Sequence, residues 1–348
     1  MADLFSEGNC CMSKQRVREA VSGYLFLLPN LLGFILFMAL PLIVSFYYAF
    51  TDYNLFSTPN WVGFANFGKA LGMHFETANY AAARAEGESV FSAFKTIIIT
   101  NDPTFWVALG NTFTYAFGVI LLSVIPAFLL AWVLNSHLPG MGIYRAIFYI
   151  PVVASIVGSS LVWFWIFQQQ NGVLNTVIRN VVDFLNQILF TRIGHPIANP
   201  LIGWLTSPKW SLRSLILMTS WSTIGYDMVI FLAALQGIPT HLYEAAMIDG
   251  ASKGTILRKI TLPLITPTMF FILVTNTIST LQIFSEPFIM TLGGPANSTL
   301  TIVYYLYQKG FQRFQMGYGS SIAWIVFAII FIITQIQFKV SKRWVFEE

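Results

Sequence analysis

The chain has 348 residues, of which 56% are apolar, 16% aromatic and only 10% charged, with a formal net charge of +4. An average soluble domain carries roughly 25% charged residues, so 19 basic and 15 acidic side chains are too few to coat a water-facing globule of this size. The composition excludes a soluble protein and places the chain in lipid. Its basic residues sit near the ends of apolar runs and read as topology signals, so no nucleic-acid partner is implied.

Residues 1–23 form a polar leading segment, and residues 24–344 form the membrane domain. Cys10 and Cys11 are adjacent, which suits neither a bridge nor a disulfide framework, and they read as plain cytosolic thiols. The first apolar run is too long for a cleaved leader and no small-residue cleavage site follows it, so it is expected to stay as a span. A membrane helix needs about 20 apolar residues. Six stretches meet that need, at 24–50, 106–134, 146–167, 215–235, 265–292 and 319–338. An even number of spans puts both termini on one side, with 345–348 as a short tail. The sequence thus predicts an all-α polytopic membrane protein with six transmembrane helices.

The side shared by the termini carries Lys14, Arg16, Arg18, Arg145, Lys253, Arg258, Lys259, Lys339, Lys342 and Arg343. The opposite loops hold nine Lys and Arg over nearly twice the length, so the terminal side is assigned to the cytoplasm. Several tryptophans fall near span ends, where an amphipathic ring sits at the headgroups.

Catalytic patterns are missing. No G-x-x-x-x-G-K-[ST] loop is present, His74, His137, His195 and His241 are scattered without metal spacing, and no G-x-S-x-G elbow occurs. The chain is therefore expected to be no enzyme and to hold no metal.

The segment richest in information lies between the fourth and fifth spans, at 240–263. Thr240 is placed to cap a short helix and Glu244 sits near its positive end. Gly250 suits a left-handed stop, and a second helix runs on to Leu262, where Pro263 is expected to end it. Leu242, Ala245, Ala246 and Met247 give the first helix a face of small and flexible side chains. From the residues alone that face fits either a groove on another protein or the underside of the chain's own bundle.

Glu244, Ala245, Ala246, Asp249, Gly250, Ala251, Ile260, Leu262 and Pro263 match the pattern E-A-A-x-x-D-G-A, about nine residues, then I-x-L-P. This segment resembles the EAA loop of the membrane subunits of ATP-binding cassette importers. Leu235-Gln-Gly-Ile-Pro239, Met290-Thr-Leu-Gly-Gly-Pro295, Val303-Tyr-Tyr-Leu-Tyr307 and Met316-Gly-Tyr-Gly-Ser320 resemble the sugar-uptake branch, and the likeness covers about residues 24–344. One departure is an insertion at about 72–101 in the first outer loop. It is either a small outer helix or two that touch a delivery protein, or an unconstrained loop, since long surface loops cost little.

The resemblance implies a type I importer permease fold with a cytoplasmic coupling helix, in a bacterial cytoplasmic membrane. The implied partners are a second, different permease subunit, two ATP-binding subunits that use ATP and Mg, an extracytoplasmic solute-binding protein and a carbohydrate. This chain itself would bind no cofactor. Glu244, Ala245, Ala246, Met247, Asp249, Gly250 and Ala251 would engage the ATPase. Candidate residues for the substrate path are Trp221, Tyr226, Asp227, Asn276, Gln282, Glu286 and Trp324, because polar groups in spans are costly and aromatic faces suit a sugar ring. Each also fits plain helix packing. Two other classes compete: an ion-gradient-driven secondary transporter, which Asp227, the single acid of the fourth span, would suit, and a membrane scaffold.

Overall fold

A backbone in hydrocarbon must satisfy its own hydrogen bonds, which favours helices wherever the chain is apolar. The computed structural model describes residues 6–75, 98–135, 140–193, 198 and 200–346. Among them four helices are long and apolar enough to cross a membrane, or six if each of two bent pairs makes one crossing.

Helix α1 (residues 6–49) runs through Ser6–Phe34, a π-helical turn at Ile35–Ala39 and Leu40–Ala49, so it begins well before the expected span. After a short helix α2 (Ala65–Leu71), strands β1 (Met73–Phe75) and β2 (Ile98–Thr100) pair antiparallel, with His74 opposite Ile99. This ladder departs from an all-helical chain and draws together the two ends of the insertion. The outer helix expected within the insertion falls outside the described residues.

Helix α3 (Pro103–Leu134) is the second expected span, lengthened at its start. Asp102 caps it, its carboxylate accepting the Phe105 N–H at 3.2 Å, and Pro103 takes a first-turn position where no donor is needed. At the other end Arg145 Nη2 donates to the Leu134 carbonyl at 2.9 Å, answering one of the orphan acceptors there.

The third expected span, 146–167, is not one straight helix. Helix α4 (Met141–Val153) and helix α5 (Ile156–Ile166) meet at 98°. Pro151 lacks an N–H for the last turn of α4, and Ala154 and Ser155 are extended, with ψ of 138° and 133°. Helix α6 (Val173–Ile193) follows, in a stretch where no helix was expected. Helix α7 (Ser211–Gly237) contains the fourth span. A Cβ on Gly225 would lie 2.2 Å from the Phe148 carbonyl oxygen, so only glycine lets α7 and α4 approach this closely.

Helix α8 (Thr240–Ile248) and helix α9 (Lys253–Leu264) form the segment between the fourth and fifth spans. Helix α10 (Thr266–Leu281) leaves α9 at a 60° bend. The fifth expected span, 265–292, does not continue as one helix beyond Leu281. Residues 282–284 are non-helical and a short π-helical turn, α11 (Pro287–Thr291), follows. Helix α12 (residues 302–312) joins it to helix α13 (Met316–Ser341), which contains the sixth span.

Three apolar clusters lie along the bundle. One joins α3 to α12 and α13, one joins α3, α7 and α10 near α8, and one gathers Tyr115, Phe167, Leu215 and Met218 at the end near α6.

Candidate functional site

The bent pair α8–α9 closes one end of the bundle. Pro239, extended with ψ of 130°, precedes the first helical residue Thr240, and no side chain caps the helix, which corrects the expected capping role of Thr240. Leu242 and Tyr243 pack into the bundle with Leu235, Ile238 and Ile265. Leu242 therefore belongs to the inner face, which fits the underside of the chain's own bundle, the second of the two readings the sequence left open for it. The outer face carries exposed His241, Glu244, Ala245 and Ile248, spaced i, i+3, i+4 and i+7, with exposed Met247 and Asp249 beside it. Ile248 is 87% exposed and Met247 60%. Ala246 and Ala251 are half-buried. Sequence reasoning missed Ile248, whose heptad spacing from His241 was the available signal.

The turn between the helices is tightly specified. Gly250 has φ of +74°, the Gly250 N–H donates to the Met247 carbonyl at 3.1 Å, and the Ala251 N–H to the Ala246 carbonyl at 2.9 Å. This pair of bonds is a Schellman ending, which requires a left-handed residue after the helix. Ser252 then caps α9 by accepting the Thr255 N–H at 3.3 Å. Tyr243 Oη and Thr261 Oγ1, 3.3 Å apart, tie the two arms together. Between them a cleft of about 260 Å³ is lined by Trp132, Asn135, Leu235, Tyr243, Lys253 and Thr261. Pro263 does not end α9 at Leu262 as expected. Pro263, which has no N–H to donate, takes a first-turn position of the α segment that follows the π-helical turn, so α9 runs on to Leu264 and the bend falls at Ile265.

The seven residues suggested for a substrate path fall into separate groups. Asp227 on α7 is fully buried, and Asn276 on α10 donates to its Oδ2 at 2.7 Å. The buried Ser123 of α3 lies beside the same carboxylate. Glu286, also buried, accepts from Thr219 Oγ1 at 3.3 Å, and Tyr115 Oη donates to Thr219 at 2.6 Å. Trp221 and Tyr226 are exposed on α7, Trp221 edge-on to Trp163 at 5.5 Å between ring centroids. Gln282 is exposed at the break after α10. Trp324 packs edge-on against Phe46 of α1 at 4.7 Å, on the α1 side of the bundle.

A further polar cluster was not anticipated. Asp102, 7% exposed, accepts from Tyr318 Oη at 2.6 Å and from Tyr305 Oη in a shorter bond. Lys69 lies over the Tyr318 ring at 4.6 Å and Lys309 over the Tyr305 ring at 5.1 Å. Burial pushes the Asp102 carboxyl up, but the two tyrosine hydroxyls, the Phe105 amide and the Lys309 charge outweigh it, and its pKa lies below the ordinary carboxylate value. The Asp102-Pro103 pair was the available signal, as an acidic cap followed by proline marks a helix start.

The described residues define a polytopic helical membrane protein with a bent helix pair at one end that leaves apolar and acidic side chains exposed. The model of the family described as "binding-protein-dependent transport system inner membrane component" matches residues 13–346, and the chain belongs to that family. The probable ABC transporter permease protein YesP of Bacillus subtilis is 34% identical over 350 residues, covering 99% of each chain. The lactose transport system permease protein LacF of Rhizobium radiobacter is 34% identical over 247 residues, covering 70% of this chain and 78% of LacF. The arabinooligosaccharide transport permease AraP of Bacillus subtilis is 29% identical over 93% of this chain and 89% of its own. In fold, the chain is similar to a subunit of a bacterial ABC transporter involved in alginate import, with a TM-score of 0.71 at 22% identity over 95% and 99% of the two chains. Membership of a binding-protein-dependent family displaces the ion-gradient reading, and the buried acid that prompted it is bonded to Asn276.

Proposed function

We propose that the chain is the permease subunit of an ATP-binding cassette importer that takes up a carbohydrate delivered by an extracytoplasmic solute-binding protein. The sugar reading is supported by relatives described as permeases for lactose and arabinooligosaccharides. A second, different permease subunit would complete the pathway. Two separate ATP-binding subunits would burn ATP with Mg, and both termini would face the cytoplasm with them.

The observation that carries the proposal is the outer face of α8 with its Schellman turn. Ile248 and Met247 offer apolar surface that water disfavours, and Ala245 lets a partner come close to the backbone. Glu244 and Asp249 are exposed beside this face, where cations on the partner could reach both carboxylates. Three turn and cap hydrogen bonds and the Tyr243–Thr261 tie hold the two arms at a fixed angle, which lets a push on α8 reach α10 through α9. Coupling needs such an element, binding differently in two states.

The test is cysteine crosslinking from Glu244→Cys, Ala245→Cys and Ile248→Cys in intact vesicles, on a Cys10→Ser/Cys11→Ser background. A crosslink to a nucleotide-hydrolysing subunit whose yield changes with ATP is the expected result. Complete failure to reach any hydrolase at all three positions would falsify the coupling role. Sugar identity is read separately, by screening ligands against the solute-binding protein.

A further inference from the structure

Helix α6 lies at the end of the bundle opposite α8, and nothing in the transport reading uses it. It has 21 residues but does not qualify as a membrane span. Its surface divides lengthwise. Leu174, Ile178, Val182 and Asn186, spaced four apart, are half-buried and face the body of the protein. On one side of that row Val173, Val177, Val181, Phe184 and Ile188 fall within about 80° of arc, and each is more than half exposed. On the other side Thr176, Arg179, Asn180, Asp183 and Gln187 are exposed.

Both ends of the segment are pinned where spans end. Asn175 Nδ2 donates to the Gln169 carbonyl at 2.7 Å and to the Ile202 carbonyl at 2.8 Å, and Trp204 Nε1 donates to Asn175 Oδ1 at 3.0 Å. Trp204 packs tilted against Phe167 and edge-on to Trp210, the residues that follow α5 and precede α7. Tryptophans so placed mark the headgroup level.

We infer that α6 lies along the membrane surface as an interfacial helix, its Val173–Ile188 flank sunk among lipid headgroups and upper acyl chains and its polar flank in water. A boundary between apolar and polar surroundings that runs parallel to a helix axis for about 24 Å matches a flat lipid–water boundary. The apolar flank is purely aliphatic and aromatic, without the Trp, Tyr, Arg or Met anchors that enrich protein interfaces. On the neighbouring α5, Val157, Leu161, Val162 and Trp165 are exposed as well. The polar flank carries one Arg and one Asp, so attachment rests on apolar burial and not on anionic lipid.

The test uses the full chain in its assembled complex, in phosphatidylcholine nanodiscs, with single spin labels on a Cys10→Ser/Cys11→Ser background. Val177→Cys, Phe184→Cys and Ile188→Cys probe one flank, and Thr176→Cys, Asn180→Cys and Gln187→Cys the other. All six positions are exposed, so labelling disturbs no core contact. The apolar flank should be relaxed several-fold more by oxygen than by a water-soluble nickel chelate, and the polar flank the reverse, unchanged when phosphatidylglycerol is added. Nickel access to both flanks would mean that the helix stands in water. Protection of the apolar flank from both reagents would mean that another subunit covers it, and a pattern that needs anionic lipid would mean charge-driven attachment. Each of these results overturns the inference, and uptake in the same samples reports separately on the transport reading.

Discussion

Two residues act through conformation and charge more than through contact. A Cβ at Gly250 would meet no atom within 4 Å, so a substitution there is penalised by its φ of +74° alone. A left-handed conformation costs an L-residue roughly 1–2 kcal/mol, least for Asn and most for a β-branched side chain. Gly250→Val should therefore open the angle between α8 and α9 and uncouple ATP hydrolysis from uptake without abolishing assembly, whereas Gly250→Asn should retain most coupling. Normal uptake by well-expressed Gly250→Val would count against a rigid angle. At Asp102, Asp102→Ala removes the cap of α3 and strands two tyrosine hydroxyls, a loss of about 3 kcal/mol. A carboxyl whose folded pKa lies below its unfolded value contributes stability that is full above the unfolded pKa of about 3.9 and is lost as pH falls through the folded pKa. The melting-temperature gap between the wild type and Asp102→Asn should be flat above about pH 4 and shrink below it.

Among the elements, the Asp227–Asn276 bond clasps α7 to α10 across the bundle core. Hydrogen bonds between membrane helices average about 0.6 kcal/mol and reach about 1.7. With both groups buried, a double-mutant cycle of Asp227→Leu and Asn276→Leu should give a coupling near the upper figure. Each single variant leaves its partner stranded, so each should be less stable than the double. Additive unfolding energies in detergent would mean that the bond carries nothing. The same elements show what the sequence revealed and what it hid. Long uncharged runs such as 106–134 were readable because hydropathy sums over a whole helix. The 98° bend at Ala154–Ser155 and the break at 282–284 were not, because a few extended residues inside an apolar run leave its hydropathy unchanged. Helix α6 escaped for the opposite reason: its apolar residues recur every three or four positions among polar ones, and a search for continuous apolar runs passes over them. In the 240–263 loop the residue types were plain. Which face each side chain takes depends on how α8 sits on Ile238 and Ile265, which turns Leu242 inward and leaves Ile248, which the sequence reading did not single out, exposed.

For the whole molecule, the question is where work enters. Helices α3 and α7 share apolar clusters at both the α6 and the α8 end, so they form a common frame, while α8 touches that frame through Leu242 and Tyr243 and leaves its other face open. On the proposed function, force applied at α8 would be carried to α10 through α9, and the Asp227–Asn276 clasp would pass part of it on to α7. On the same proposal the exposed Ile248 would anchor the motor subunit and add little to the fold of the chain itself. Burying an isoleucine is worth roughly 1.5–3 kcal/mol, about 10- to 140-fold in affinity. Ile248→Asp should weaken capture of the ATP-binding subunit by that factor while the melting temperature of the isolated chain stays within a degree or so of wild type, since a solvent-facing substitution rarely moves stability by more than about 0.5 kcal/mol. Quantitative co-purification against a dilution series of the ATP-binding subunit measures the first, and a fluorescence melt the second. A drop in the melt with affinity unchanged would assign Ile248 to the fold and move the motor contact elsewhere on the bundle.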